Sequence, residues 1–432
     1  MGQQNRGRQR RDFLVQQFCR LTSQRPSRRL ARRYSAGQRQ LRRRKLGLEQ
    51  PDGAATWGNG VTGSSGIVSG TNSLVGTNTS VQLGGSSNGG GIYPLTNGNY
   101  VVTCPFCSVN FQDNGAVTWG NGSTGTNGIV SAANSLYGAN EFDSIGRGVL
   151  ALPNGNYVVT SEYWNDARGA VTLINGAAAV SAAVGAGNSL TGANPTDFVG
   201  SGKTLLLTNG NYVVFSPGWN NNAGAVTWMN GLAAASGTVS AANSLVGTSA
   251  GDRIGADYGV ALPNGNYVIQ NPNWGGGRGA ATWRDGSALT SGTISAANSL
   301  IGNSSGDNVG QKVVPLANNN YVVVSPNVRN GTVLRVGAVT WSSGAGGTNG
   351  TVSPGNSLIG TTVEDNVGNG GVVALPNGNY IVTSTNWDRA SIKDAGAITY
   401  GAGNAATTLG AITVNNSARF ERERRRVSEL RF

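Results

Sequence analysis

A phrase that returns at a fixed step constrains this chain more than any other feature. Leu-Pro-Asn-Gly-Asn-Tyr-Val-Val at Leu152 to Val159 is its clearest copy. The phrase's tyrosine recurs as Tyr100, Tyr157, Tyr212, Tyr267, Tyr321 and Tyr380, at steps of 54 to 59 residues. A second phrase, Gly-Ala-Val-Thr-Trp, brings in Trp57, Trp119, Trp228, Trp283 and Trp341, with Leu173 and Tyr400 in the two remaining slots. A third, Ala-Asn-Ser-Leu and its variants, places Asn72, Asn134, Asn188, Asn243, Asn298 and Asn356. Self-similarity at such a period is the signature of a modular array, in which each unit buries its apolar face against the next. A chain built this way is expected to act through a repeated surface more than through one catalytic pocket.

The local pattern predicts strands. In residues 365–417, Gly371 to Leu375 and Tyr380 to Thr383 read as two short strands around Pro376-Asn-Gly-Asn379. Asn-Gly between apolar runs is a strong hairpin signal and points to a type I′ turn with two left-handed residues. One copy reads Asn318-Asn319, and Asn tolerates that conformation next best after Gly. Gly-Ala-Val-Thr-Trp makes a third strand, and Gly-Thr-Val-Ser, as at Gly237 to Ser240, a fourth. No 3.6-residue apolar stripe is present in the array, so helix is expected to be nearly absent. Four antiparallel strands per unit predict an all-β, β-propeller-like array, with six full repeats plus a half repeat giving about seven blade positions. The alternative is a β-solenoid, which the tight hairpin in each unit disfavours. Of the 432 residues 68 are Gly, and their phase locks them to turns between β-branched runs, which argues for order.

Charge separates the array from its flanks. The formal net charge is +12, but residues 1–50 hold 15 Lys and Arg against two acids, and residues 418–432 six Arg against three Glu. The array itself is therefore mildly acidic and offers no basic stripe to nucleic acid. The organisation expected is a basic, disordered segment over 1–50, a repeat domain over 51–417 and an Arg-rich tail over 418–432. There is no His, which removes the usual general base and metal ligand. No apolar run reaches the length of a transmembrane helix, and residues 1–50 lack the apolar core of a signal peptide.

Each candidate site has a structural counter-reading. Cys104-Pro-Phe-Cys107 has redox or metal spacing, yet it follows a strand and has too few further ligands for zinc. It reads as a chance replacement in one copy or as a local disulfide. Asp143, Asp197, Asp252, Asp307 and Asp365 recur once per unit; a calcium loop needs more oxygen ligands, so turns that satisfy backbone N–H groups between units are expected. The strand tryptophans read as filler between units. Trp164, Trp219, Trp274 and Trp387 lie seven residues after the hairpin tyrosines, with Cys107 and Val328 in the other two slots. They are the candidate ligand-binding set, able to stack on sugars, against a reading as caps on the core. No catalytic residue, metal site or cofactor is expected.

The three phrases, with Gly115 to Gly122 and Val239 to Gly247 as their longest copies, resemble repeats of very large bacterial surface proteins, some described as filamentous-haemagglutinin-like or secreted adhesins. The resemblance implies an extracellular or cell-surface setting and a non-enzymatic scaffold that presents loops to a glycan or another surface protein. The alternative is a propeller enzyme acting on polysaccharide, a glycosidase or lyase, which needs convergent carboxylates.

Overall fold

The computed structural model describes residues 53–418 apart from 62–64, 78–82, 86–89, 235, 258 and 290. The expectations for residues 1–50 and for the Arg-rich tail fall outside the described residues. Contacts divide the chain into two bodies, one of residues 1–151 with 175–184 and one of 152–174 with 185–432. Among the described residues the chain is almost entirely β, arranged in seven sheets.

One repeat of the second body shows the plan. Leu205–Leu206 and Tyr212–Ser216 form the hairpin, and Ala225–Met229, the strand that carries Trp228, runs antiparallel beside it. Leu245–Val246, from the Asn-Ser-Leu phrase, is the fourth strand and is again antiparallel. The fifth strand is Gly292–Thr293, which comes from the following repeat and pairs in parallel, Leu245 opposite Gly292. This corrects the expected four-stranded antiparallel unit. Gly-Thr-Val-Ser does form a strand, but it crosses to the sheet of the preceding repeat, and the Ser-Leu dipeptide takes its place at home. The crossing recurs six times, twice in the first body, where Gly128–Ile129 joins Leu74–Val75 and Ala182–Ala183 joins Leu136–Tyr137, and four times in the second.

The phrases now have physical reasons. The Thr of Val-Thr-Trp and the Ser of Asn-Ser-Leu share a hydrogen bond of 2.7 Å between neighbouring strands, as in Thr227–Ser244 and Thr282–Ser299. Both side chains are buried, so each supplies the other's partner. The adjacent Asn ties the crossing strand to the strand that follows. In Asn243, Oδ1 accepts from Ser240 N and Ser244 Oγ while Nδ2 donates to Thr238 O. The apolar core lies between successive sheets: Val213, Phe215 and Leu245 of one repeat pack with Tyr267, Ile269 and Ile301 of the next.

The hairpin turn also departs from expectation. Leu152 N donates to Asn156 O and Gly155 N to Leu152 O. Gly155 has φ +90°, whereas Asn154 is not left-handed. The loop is thus a type I turn centred on Pro153-Asn154 with Gly155 as its left-handed bulge residue, not a type I′ turn. Pro fits the first central position of a type I turn because its φ is already set near −65°. Asn319, at φ +74°, fills the bulge position in the fifth hairpin.

A Cβ on Gly210 would meet nothing within 4 Å, but its φ is +87°. Backbone strain alone then sets the cost of substitution. Gly210→Val is expected to destabilise by about 1–2 kcal/mol and Gly210→Asn by clearly less, read as melting temperatures; Val at or above Asn would contradict the bulge assignment.

Candidate functional site

The structure places two sets of recurring polar residues in joints between repeats. The first joint centres on one glycine carbonyl. Gly286 O accepts from Asn209 Nδ2 at 2.8 Å, Asn211 Nδ2 at 2.9 Å and Trp228 Nε1 at 2.8 Å, all from the preceding repeat. Gly344 O and Gly403 O repeat the arrangement in the second body, and Gly176 O in the first. The strand tryptophans are therefore interfacial and half-buried, as expected of filler, but with a directional bond as well. Where Leu173 replaces Trp, Gly231 O keeps the two Asn donors, at 2.8 and 3.2 Å. The glycine is also a contact point at home, since a Cβ on Gly286 would lie 1.7 Å from Gly265 O.

The second joint is the recurring Asp. Asp197, Asp252, Asp307 and Asp365 are at most 4% exposed. Asp252 Oδ2 accepts from Thr248 N and Ser249 N, and Oδ1 accepts from Gly275 N, each at 3.0 Å. Asp197 makes the same three bonds with Ala193, Asn194 and Asn220. Asp307 adds Arg329, whose backbone N and Nε both donate to Oδ1. Asp143 receives Asn140 N. These carboxylates satisfy backbone donors of the turn that joins one repeat to the next, and each is enclosed by its own loop.

The loops after the second hairpin strand are where the repeats differ. Three are short, 162–169, 217–224 and 272–279, and hold an unusual turn. Asn165, Asp166 and Ala167 all have positive φ, as do Asn220, Asn221 and Asn222, and Gly275, Gly276 and Gly277. A run of three left-handed residues is costly for most side chains, and Asn and Gly carry it most cheaply. The other three loops, 105–115, 326–337 and 385–396, are longer. Their tips expose Phe111, Leu334 and Ile392, at 46, 48 and 56%. Asn330 and Val333, and Arg389 and Ile392, close small turns within two of them.

The tryptophans singled out as a ligand set lie at the base of these loops. Trp164 and Trp387 are only 8 and 6% exposed. Trp219 and Trp274 are half-buried; Trp274 packs on a core cluster and the Arg278 guanidinium covers its ring at 4.8 Å. Trp164 and Trp387 thus offer no open face for stacking. The apolar loop tips carried no repeat signal, because they occur where the pattern breaks.

Cys104 and Cys107 are joined in a buried disulfide, with Cα atoms 5.4 Å apart. Of the two readings of this pair, the structure takes the local disulfide. Cys107 occupies the slot of the loop tryptophans, and the bridge sits in a cluster with Tyr100, Val102 and Ala116.

A family model described as a repeat of unknown function (DUF5650) matches seven times in tandem, over residues 47–85, 94–147, 151–201, 206–256, 261–311, 315–369 and 374–418. A search of curated proteins finds no match. Among solved structures, a catalytically inactive virginiamycin B lyase from Staphylococcus aureus with quinupristin is similar over 80% of this chain and 89% of its own, at 10% identity and a TM-score of 0.30. A eukaryotic initiation factor is similar over 76% of each chain, at 10% identity and a TM-score of 0.29. Similarity this weak carries no argument about fold or activity.

The joints make two quantitative statements. Trp228→Phe is expected to cost only about 1 kcal/mol in its hydrogen bond, because Gly231 O already manages with two donors. Gly286→Ala is expected to cost about 3 kcal/mol or more through the enforced overlap. Denaturant unfolding of both variants checks the order. Ala167→Gly should raise the melting temperature, since it relieves a left-handed Ala where Asn222 and Gly277 stand in the neighbouring repeats.

Proposed function

This chain belongs to the family of the repeat of unknown function (DUF5650); we propose that it is a non-enzymatic scaffold that displays loops for contact with a protein or a glycan. The observation that carries the reading is the division of labour within each repeat. Every residue that recurs at fixed phase, whether Asn, Asp, Trp, Thr or Ser, is engaged in building the sheet or the joint. The loops after the second hairpin strand instead vary in length and raise apolar tips, Phe111, Leu334 and Ile392, into solvent. Exposed apolar side chains on loops held by a rigid frame are a common form of recognition surface.

Two further features belong to the reading. The tandem run of small, mostly antiparallel sheets supports a propeller-like setting around an axis. A surface or secreted setting in a bacterial adhesin follows from the resemblance of the phrases, and the buried Cys104–Cys107 disulfide favours an oxidising compartment. The enzyme reading has less to stand on, because the phase-locked carboxylates are buried and committed to backbone N–H groups.

The test applies the full chain to a glycan array and to a panel of extracellular-matrix proteins. Binding that is lost in a Leu334→Ser, Ile392→Ser double variant, with the melting temperature within about 0.5 kcal/mol equivalent of the parent, supports loop display. Binding that survives this change but is lost in Trp274→Ala moves recognition to the loop base. Hydrolysis or elimination of any polysaccharide on the array overturns the non-enzymatic reading.

A further inference from the structure

Among the described residues, the first and last sheets each hold half of the joint that the crossing strand makes. Six crossing strands lie against the preceding repeat. In four of them the leading glycine donates to a serine carbonyl there, as Gly128 N to Ser73 O at 3.1 Å and Gly410 N to Ser357 O at 2.9 Å; Gly292 N donates to Ala241 O, and Ala182 stands in the glycine's place in the remaining strand. Two residues on, an aliphatic side chain is enclosed: Val130, Val184, Val239, Ile294, Val352 and Ile412 are all at most 7% exposed.

Gly66-Ile67-Val68-Ser69 is the seventh copy of this strand, and it lies against no strand among the described residues. Its local shape is nevertheless that of the other six. Gly66 has φ +110°, beside +113° for Gly128 and +103° for Gly237. Asn72 braces it, accepting from Ser69 N and donating to Ile67 O, both at 2.9 Å, as Asn134 does for Ser131 and Ile129. Yet Val68 is 56% exposed. Nearby, Gly60 occupies the position of the shared carbonyl glycines, and its carbonyl accepts no bond among the described residues.

The last repeat carries the other half. Among the described residues its sheet ends at Ser417–Ala418 with no crossing strand, and is four-stranded where the others of its body have five. Asn377 and Asn379 stand where the other hairpins supply the two amide donors, and Tyr400 stands in the tryptophan slot, 57% exposed. Asn379 Nδ2 turns to the Tyr400 hydroxyl, and Asn377 Nδ2 has no partner among the described residues, although Asn377 Oδ1 holds the turn through Asn379 N.

We propose that the chain assembles head to tail with a second copy of itself. Residues 66–68 of one copy join the last sheet of the next as its fifth strand, parallel, with Gly66 opposite Ala418 and Gly66 N donating to Ser417 O. Val68 takes the enclosed place that Val239 or Ile412 holds in the other joints, and the Gly60 carbonyl receives Asn377 Nδ2 and the Tyr400 hydroxyl. The occupant is chosen by register and chemistry. One chain carries both a preformed crossing strand and the edge that every other crossing strand fits, and the same joint is made six times within the chain. An added strand gains affinity from main-chain bonds and specificity from its alternate side chains, and a segment already in its bound shape loses little entropy on docking. A head-to-tail contact is heterologous, so it yields rings or open filaments and not a closed twofold pair.

Sedimentation equilibrium of the full chain tests this. The parent should show a mass that rises with concentration beyond one chain. Val68→Asp blocks the head by placing a charge in an enclosed position. Asn377→Asp blocks the tail, because it keeps the turn acceptor but faces the Gly60 carbonyl with a carboxylate. Both sites are exposed, so melting temperatures should match the parent; Val68→Thr serves as a milder head variant, expected to weaken association without abolishing it. Each Asp variant alone should remain a single chain at concentrations where the parent associates. Their equimolar mixture should recover a two-chain complex and go no further, since one supplies the intact tail and the other the intact head. A parent that stays a single chain at all concentrations overturns the proposal. So does undiminished association of Val68→Asp, or a mixture that fails to pair.

Discussion

The whole array depends on one kind of bond, the donation of an indole N–H and two asparagine amides to a single glycine carbonyl of the next repeat. A backbone carbonyl has two lone pairs, and three donors within 2.7–3.1 Å saturate it. The acceptor must be glycine, because its α-carbon lies against the hairpin turn of its own repeat, where a Cβ would fall within 1.6–2.1 Å of a carbonyl oxygen. The hairpin asparagine works in both directions: Asn211 accepts from Gly231 N at home and donates to Gly286 O next door. The geometry of one repeat thereby sets the position of the following one.

The crossing strand acts on the opposite edge of the same joint. Among the described residues it makes six of the seven sheets products of two repeats. A parallel pair needs a connection longer than a hairpin loop, and here the pair is brought together by the neighbouring repeats. Buried Thr–Ser and Asp–backbone bonds then fill the places where an apolar side chain would leave donors unpaired. Apart from one buried Asp per joint, the frame is built from neutral groups, in keeping with a chain of 12% charged residues.

With the phase-locked residues spent on construction, the loops after the second hairpin strand carry much of the difference between repeats. Three of these are held by left-handed Asn and Gly turns, and three are extended with apolar tips. In the repeat of residues 94–147 a disulfide replaces the tryptophan that caps the loop in four other copies. The chemistry available to a partner is therefore decided one loop at a time, over a frame that repeats.

Periodicity and turn chemistry were legible in the amino-acid order alone: the period, the β character, the phase of the hairpins, the interfacial place of Trp119 or Trp283, and the role of the lone Asp as a backbone acceptor. These are local properties, set by side-chain alternation and by which residues tolerate a left-handed backbone. The tertiary structure decided what depends on a neighbour. Gly-Thr-Val-Ser reads as a strand, but nothing in its pattern says that it leaves its own sheet, because hydrogen-bond partners across 50 residues leave no mark on local periodicity. Asn154-Gly155 reads as the centre of a type I′ turn, and only the pairing of Leu152 with Asn156 shifts the centre to Pro153-Asn154. Trp164 and Trp387 read as an outward set because they fall in loops, and they are enclosed because the core between successive sheets extends to the loop base.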